Sequence, residues 1–184
     1  MKKTVFLLFT IIFALSISVS ALDNVNWISS RNDIIKYETS EPVFEDAEFL
    51  GFSTTLYNKT IEKIYIFKED KLISIFYIIA EDRKELEDYL TSYQEINDLL
   101  TKDLGVPLFK DEDWEDERYK ESPELALILG DVRYNTTWIK NNIITHTIYA
   151  KDLSVNHIIF INPLDSIRET QPTSAENHPD FDDI

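Results

Sequence analysis

One internal match restricts the fold of this chain more than any other feature. The stretch from Thr54-Thr55-Leu56 through Ile66-Phe67-Lys68-Glu69-Asp70 to Ile79 has a counterpart 82 residues later. That counterpart runs from Thr136-Thr137-Trp138 through Ile148-Tyr149-Ala150-Lys151-Asp152 to Ile161. Both copies are rich in Ile, Phe, Tyr and Thr and are broken by short polar pairs, which is how antiparallel hairpins read. A hairpin alone is marginal in water, so the two copies are expected to complete one sheet and share one core.

Similar elements precede each copy. Ser30 with Asp33 three residues on forms a capping box, opening a helix over 31–38 with Trp27 packed before it. Glu41-Pro42-Val43-Phe44-Glu45-Asp46 then begins a loop. Strands are expected over 49–58, 61–68 and 72–79, with a bulge at Gly51 and a tight turn at Glu69-Asp70. Asp82 and Glu85 make a second capping box. From Leu86 to Leu104 the apolar positions Tyr89, Leu90, Tyr93, Ile96 and Leu100 recur at steps of three and four, one face of a long helix that Gly105 and Pro107 stop. Val106-Pro107-Leu108-Phe109-Lys110-Asp111 repeats the type and spacing of the 41–46 loop. The second copy alone carries an insertion at about 111–130. Its first part, Asp111 to Glu117 around Trp114, reads as a solvated acidic loop. Its second part, Ser122 to Gly130, reads as a compact helix with Pro123 at the first position. Strands over 132–140, 143–151 and 155–162 complete the pattern. The expected fold is α+β: two tandem helix-βββ repeats, 27–80 and 82–162, forming an antiparallel sheet of about six strands with helices on one face.

This succession over 27–162 resembles the β-lactamase inhibitory protein family and the outer-membrane assembly lipoproteins of the same layered type. The resemblance lies in the order of elements, implies a layered α+β domain, and carries over no functional residue. The chain has no cysteine, so the lipidated Cys of the lipoproteins and the disulfides of the inhibitors have no counterpart here.

The two ends read differently from the middle. Lys2 and Lys3, the apolar run Val5 to Val19 and Val19-Ser20-Ala21 make a signal peptide over 1–21, cut before Leu22. The alternative is an uncleaved anchor, although the run is shorter than the ~20 residues a spanning helix needs. From Pro163 the periodicity ends, and 163–184 reads as an acidic disordered tail. The expected product is an exported bacterial domain, periplasmic or secreted, built from residues 22–162.

Charge and composition narrow the function classes. The chain holds 18 basic and 34 acidic residues, a net charge of −16. Without Lys2 and Lys3 the count is 16 against 34, or −18. Such a balance argues against nucleic acid and anionic lipid as partners and admits a basic protein or divalent cations. With no Cys and three His, thiol chemistry is excluded and no nucleophile elbow is present. Three scattered glycines make no phosphate loop. The acidic run lacks the spaced ligands of a calcium loop. No cofactor, metal or catalytic residue is expected.

Two groups of residues remain as candidate sites. At the offset of 82, His146 replaces Ile64 and His157 replaces Ile75. In a hairpin centred on Lys151-Asp152 the two histidines face each other. They are ordinary polar residues at the sheet margin, a pair responding to pH near the usual histidine value of ~6.5, or two ligands of a transition-metal site. The second group is a face. Ile64, Ile66, Ile73, Ile75 and Ile79 are expected to meet the helices. Tyr65, Phe67 and Phe76, with Tyr149 and Phe160 from the second copy, then form an aromatic face on the other side, where a partner binds or where loops, the insertion or a second protomer lie. The expected function is that of an exported, non-catalytic binding protein for an unknown protein or small ligand. The alternatives are an envelope-assembly component that homodimerises through the same face, and a hydrolase without a recognisable motif.

Overall fold

The computed structural model describes Leu22 and residues 25–38, 40–81, 85–151 and 154–165. The expected signal segment, the tail beyond 165 and Asp82 of the second capping box lie outside the described residues. Eight strands form one antiparallel sheet: β1 (Phe44–Glu45), β2 (Phe49–Leu56), β3 (Lys59–Lys68), β4 (Lys71–Glu81), β5 (Phe109–Trp114), β6 (Val132–Ile139), β7 (Asn142–Lys151) and β8 (Ser154–Pro163). Their order, β1-β2-β3-β4-β8-β7-β6-β5, mirrors itself about the β4–β8 seam. Among the described residues there are three helices, α1 (Arg31–Tyr37), α2 (Glu87–Leu104) and α3 (Pro123–Leu129), and a 3-10 turn at Glu117–Tyr119.

The sheet has two strands more than the six expected, and both are edges. β1 forms inside the 41–46 loop. β5 forms from the acidic run, whose Asp111 to Asp113 pair with Asn135 to Arg133. An edge strand needs only one backbone partner and no apolar alternation, so its polar side chains hid it. Gly51 is not a bulge. It pairs regularly with Phe44 and Ile64, and the Phe44 ring lies over it so closely that a Cβ there would stand 2.2 Å from Phe44 Cε1.

The core lies between one face of the sheet and the helices. Leu50, Phe52, Tyr65, Tyr77, Ile144 and Ile161 from the strands pack with Ile34 of α1 and with Ile96 and Leu100 of α2. A second cluster joins Tyr89 of α2 and Ala126 and Leu127 of α3 to Val132, Ile148 and Val155. Local chemistry sets the ends of these helices. Ser30 and Asp33 form the expected capping box on α1, and Arg31 ties α1 to the sheet by donating to the Ala47 and Phe49 carbonyls at 2.9 and 3.2 Å. Gly130 ends α3 in the left-handed region, as a glycine C-cap does. Ser122 makes no side-chain cap bond; Pro123 at the first position is the start signal that operates.

A single bulge decides which residues enter the core. Glu69 and Asp70 make the two-residue turn with positive φ at both positions, as expected. After Phe67 pairs with Leu72 the register shifts, so Ile66 pairs with Ser74 and Tyr65 with Ile75. Ile73 is the extra residue and is 41% exposed. This one-residue shift reverses the facing of β3, because side chains alternate with period two. Facing therefore agrees between residues 54–79 and 136–161 in the outer and inner strands but not in the middle one, where Tyr65 and Phe67 point inward and Thr147 and Tyr149 outward.

Candidate functional site

The sheet face turned away from the helices is crossed by one continuous row. Reading from edge to edge through paired residues, it runs Phe44, Gly51, Ile64, Phe76, Phe160, Thr145, Thr137, Phe109. Phe76 and Phe160 meet edge-to-face at its centre, 4.5 Å between centroids. Phe44 and Phe109 at the two ends are 38% and 51% exposed. The next row carries Ile78 and Ile158 at the seam, with Glu62 beside Ile78, and with Thr147, Asn135 and then Asp111 following Ile158 out to the β5 edge. All four central side chains are part-exposed, and no buried residue of the three helices clusters with them.

Of the five expected aromatic residues, the structure brings together Phe76 and Phe160. Tyr149 lies on the same face but two rows along the strands, paired with Asn156. Tyr65 and Phe67 are a correction: they are 3% and 2% exposed in the core, turned inward by the bulge at Ile73. Ile64 and Ile66 take the outward places instead.

The histidines also differ from expectation. Lys151 pairs with Ser154, so the hairpin is centred one residue later than Lys151-Asp152 and His146 pairs with Ile159, His157 with Ile148. The two are diagonal neighbours on the inward face and are fully buried, not at a margin. Nor do they occupy an Ile-Ile pair of the first copy, since Ile64 faces outward and Ile75 inward. His146 Nε2 lies 3.1 Å from His157 Nδ1, and His146 Nδ1 lies 2.8 Å from Asn97 Oδ1. The amide oxygen can only accept, so the neutral His146 ring carries its proton on Nδ1 and accepts from His157 Nδ1–H. That hydrogen bond holds one proton; two imidazolium rings would set N–H against N–H. The Tyr93 ring lies tilted against His146, 4.8 Å between centroids, and its hydroxyl hydrogen-bonds Thr136 Oγ1 at 2.8 Å. Burial raises the pKa of that hydroxyl. Among the described residues no group of three or more metal-ligating side chains converges, and no helix is long and apolar enough to cross a membrane.

Sequence reasoning missed a second inward polar centre. Lys63, Tyr77, Ile159 and His146 are consecutive in one cross-strand row, so Lys63 and His146 flank the seam. Lys63 Nζ pairs with Glu38 Oε1 at 2.8 Å, with both side chains largely buried. It also sits over the Tyr65 and Tyr77 rings at 4.7 and 5.7 Å. The Tyr65 hydroxyl donates to the same Glu38 oxygen. Burial first, then Glu38, holds the Tyr65 hydroxyl neutral far above the ordinary tyrosine range, and burial does the same for Tyr77. This centre borders a cavity of about 540 Å³ between α1, the segment before it and the sheet. The one signal in the sequence was Lys63 itself, a charge at the same parity as Ile61, Tyr65 and Phe67.

Comparison of the chain with protein-family models, with curated proteins and with solved structures gives no match in any of the three.

Proposed function

We propose that the protein is an exported, non-catalytic binding module that docks a basic protein partner on the outer face of its sheet. The observation that carries this reading is the row from Phe44 to Phe109, aromatic at both ends and at its centre, where Phe76 meets Phe160, and left uncovered by the described helices. Large aromatic side chains at the centre of a patch dominate interface energetics. Glu62, Asp111 and Asp113 on the same face, in a chain of net charge −16, favour a cationic occupant over a second copy of the chain. The export reading rests on Lys2, Lys3 and the apolar run to Val19. We also read the chain as a tandem duplication, since Tyr77 and Ile159, which stand 82 residues apart, pair with each other at the seam.

The experiment combines stability and assembly. Phe76→Ala should lower stability by about 1–2 kcal/mol, the loss of a half-buried ring and one aromatic contact. A cost of about 3–5 kcal/mol would mark an ordinary interior position. Phe76→Glu with Phe160→Glu should then abolish retention of a basic partner from an envelope fraction. A dimer that persists on dilution and is lost in this double variant would make the second copy the occupant. Unchanged retention and unchanged mass would overturn the proposed face.

A further inference from the structure

On the opposite face from the proposed docking row, the structure assigns a second binding site: we infer that the cavity beneath α1 takes a small uncharged ring compound bearing one hydroxyl or carbonyl oxygen. Its volume, about 540 Å³, falls in the range of small-molecule sites. Ile34 from α1 and Leu72 and Ile75 from the sheet give it an apolar floor, and Tyr37, which also lines it, is 79% exposed. Polar groups line it on two sides: Asn26, Ser29 and Asp33 from α1 and the segment before it, and Lys63, Tyr65 and Tyr77 from the sheet. Tyr77 is 4% exposed and lines the cavity, and no hydrogen bond joins its hydroxyl to another described residue. Lys63 also lines it, with Glu38 taking one of the three ammonium protons. A neutral oxygen placed there would meet one O–H and one N–H donor above an apolar floor.

The charge of the occupant follows from the charge already present. Lys63 and Glu38 neutralise each other at 2.8 Å with little solvent around them. A ligand carboxylate beside Lys63 would also lie beside Glu38. A ligand ammonium there would lie beside Lys63; the other carboxylate of the lining, Asp33, is exposed and already accepts from Ser30 N–H and Oγ–H. Either would bring an uncompensated charge out of water, which costs far more than burying a neutral group with its hydrogen bond made. The apolar floor of Ile34, Leu72 and Ile75 beside the Tyr77 and Lys63 donors suits a ring bearing one oxygen.

The test uses the full chain and three probes of one shape: 1-naphthol, 1-naphthoate and 1-naphthylmethylammonium. Methyl NMR spectra are recorded as each is added. Naphthol should give saturable shifts at the Ile34, Leu72 and Ile75 methyls, and bind about tenfold or more tighter than either charged probe. Tyr77→Phe should weaken naphthol about three- to tenfold, the worth of one neutral hydrogen bond. Absence of saturable shifts at these three methyls overturns the site. Equal or tighter binding of a charged probe overturns the assigned class, and an unaffected Tyr77→Phe overturns the orientation. If Tyr77→Phe does not fold, Ser29→Trp blocks the mouth from a segment outside helix and strand; shifts that survive it overturn the site as well.

Discussion

The two halves of the helix-side face solve one problem in opposite ways. Each places a polar residue in the same cross-strand row, Lys63 on one side of the seam and His146 on the other. His146 is sealed: it is fully buried, packed against Tyr93 and hydrogen-bonded to Asn97 and His157. Lys63 is left beside a cavity, because α1 has only seven residues and buries only Ile34 among them. The eighteen-residue α2 reaches across the seam, burying residues from Tyr89 to Leu104. The difference teaches that helix length, more than the sheet, decides whether an inward polar group becomes a packed network or the wall of a cavity.

The largest expected effect belongs to the sealed half. His146→Ala should cost about 3–5 kcal/mol, because it leaves a cavity and strips Asn97 and His157 of a partner with no water to replace it. Urea unfolding followed by circular dichroism measures this. A cost below about 1 kcal/mol would show the network to be loose and the comparison empty. Lys63→Met should cost less, about 1–2 kcal/mol, since the adjoining cavity admits water to Glu38. Adding Glu38→Gln should recover part of that loss, and the double-mutant cycle gives the coupling. A Lys63→Met cost equal to that of His146→Ala would mean the cavity does not relieve the first half.

The smallest effect is a slope. Tyr65 and Tyr77 stay neutral in the fold well above the ordinary tyrosine pKa, chiefly through burial. Tyr134, in the second half, is pushed up to about 12 by burial and the Glu112 carboxylate. Above pH 10 the unfolded chain loses these protons while the folded chain keeps them, so stability falls as pH rises. Each such tyrosine contributes up to about 1.4 kcal/mol per pH unit. Tyr77→Phe should flatten the decline between pH 10 and 12 throughout. Tyr134→Phe should matter less as pH approaches 12, where the folded side chain also ionises. Equal slopes for both variants would erase the distinction between the halves.

Much of this fold was legible. Six strands, the Ser30–Asp33 capping box, the Glu69-Asp70 turn and the Gly130 stop all follow from residue type and spacing. The candidate face was legible only in part. In β3 both parities are apolar, so Ile64 and Ile66 compete evenly with Tyr65 and Phe67. The tie is broken by a bulge at Ile73 that no side chain announces. The edge strand β5 was hidden by its charges, and the histidine contact was blurred by a turn centred one residue later than its symmetric position. Asn97, on the buried stripe of α2, looks polar and solvated until His146 is known to lie opposite it.

The packing of Phe44 on Gly51 has a consequence for how copies of this chain keep apart in a crowded compartment. β1 is two residues long, and its pairing holds it over the outer edge of β2. A methyl group at position 51 would collide with the Phe44 ring and turn it off the strand; were β1 lost with it, a longer row of open backbone amides and carbonyls would be left on β2. Such an edge recruits another strand, and because the far edge β5 differs from it in sequence, recruitment does not close on itself. Gly51 thereby leaves room for the ring that lies over this edge, beside the shortest of the described strands.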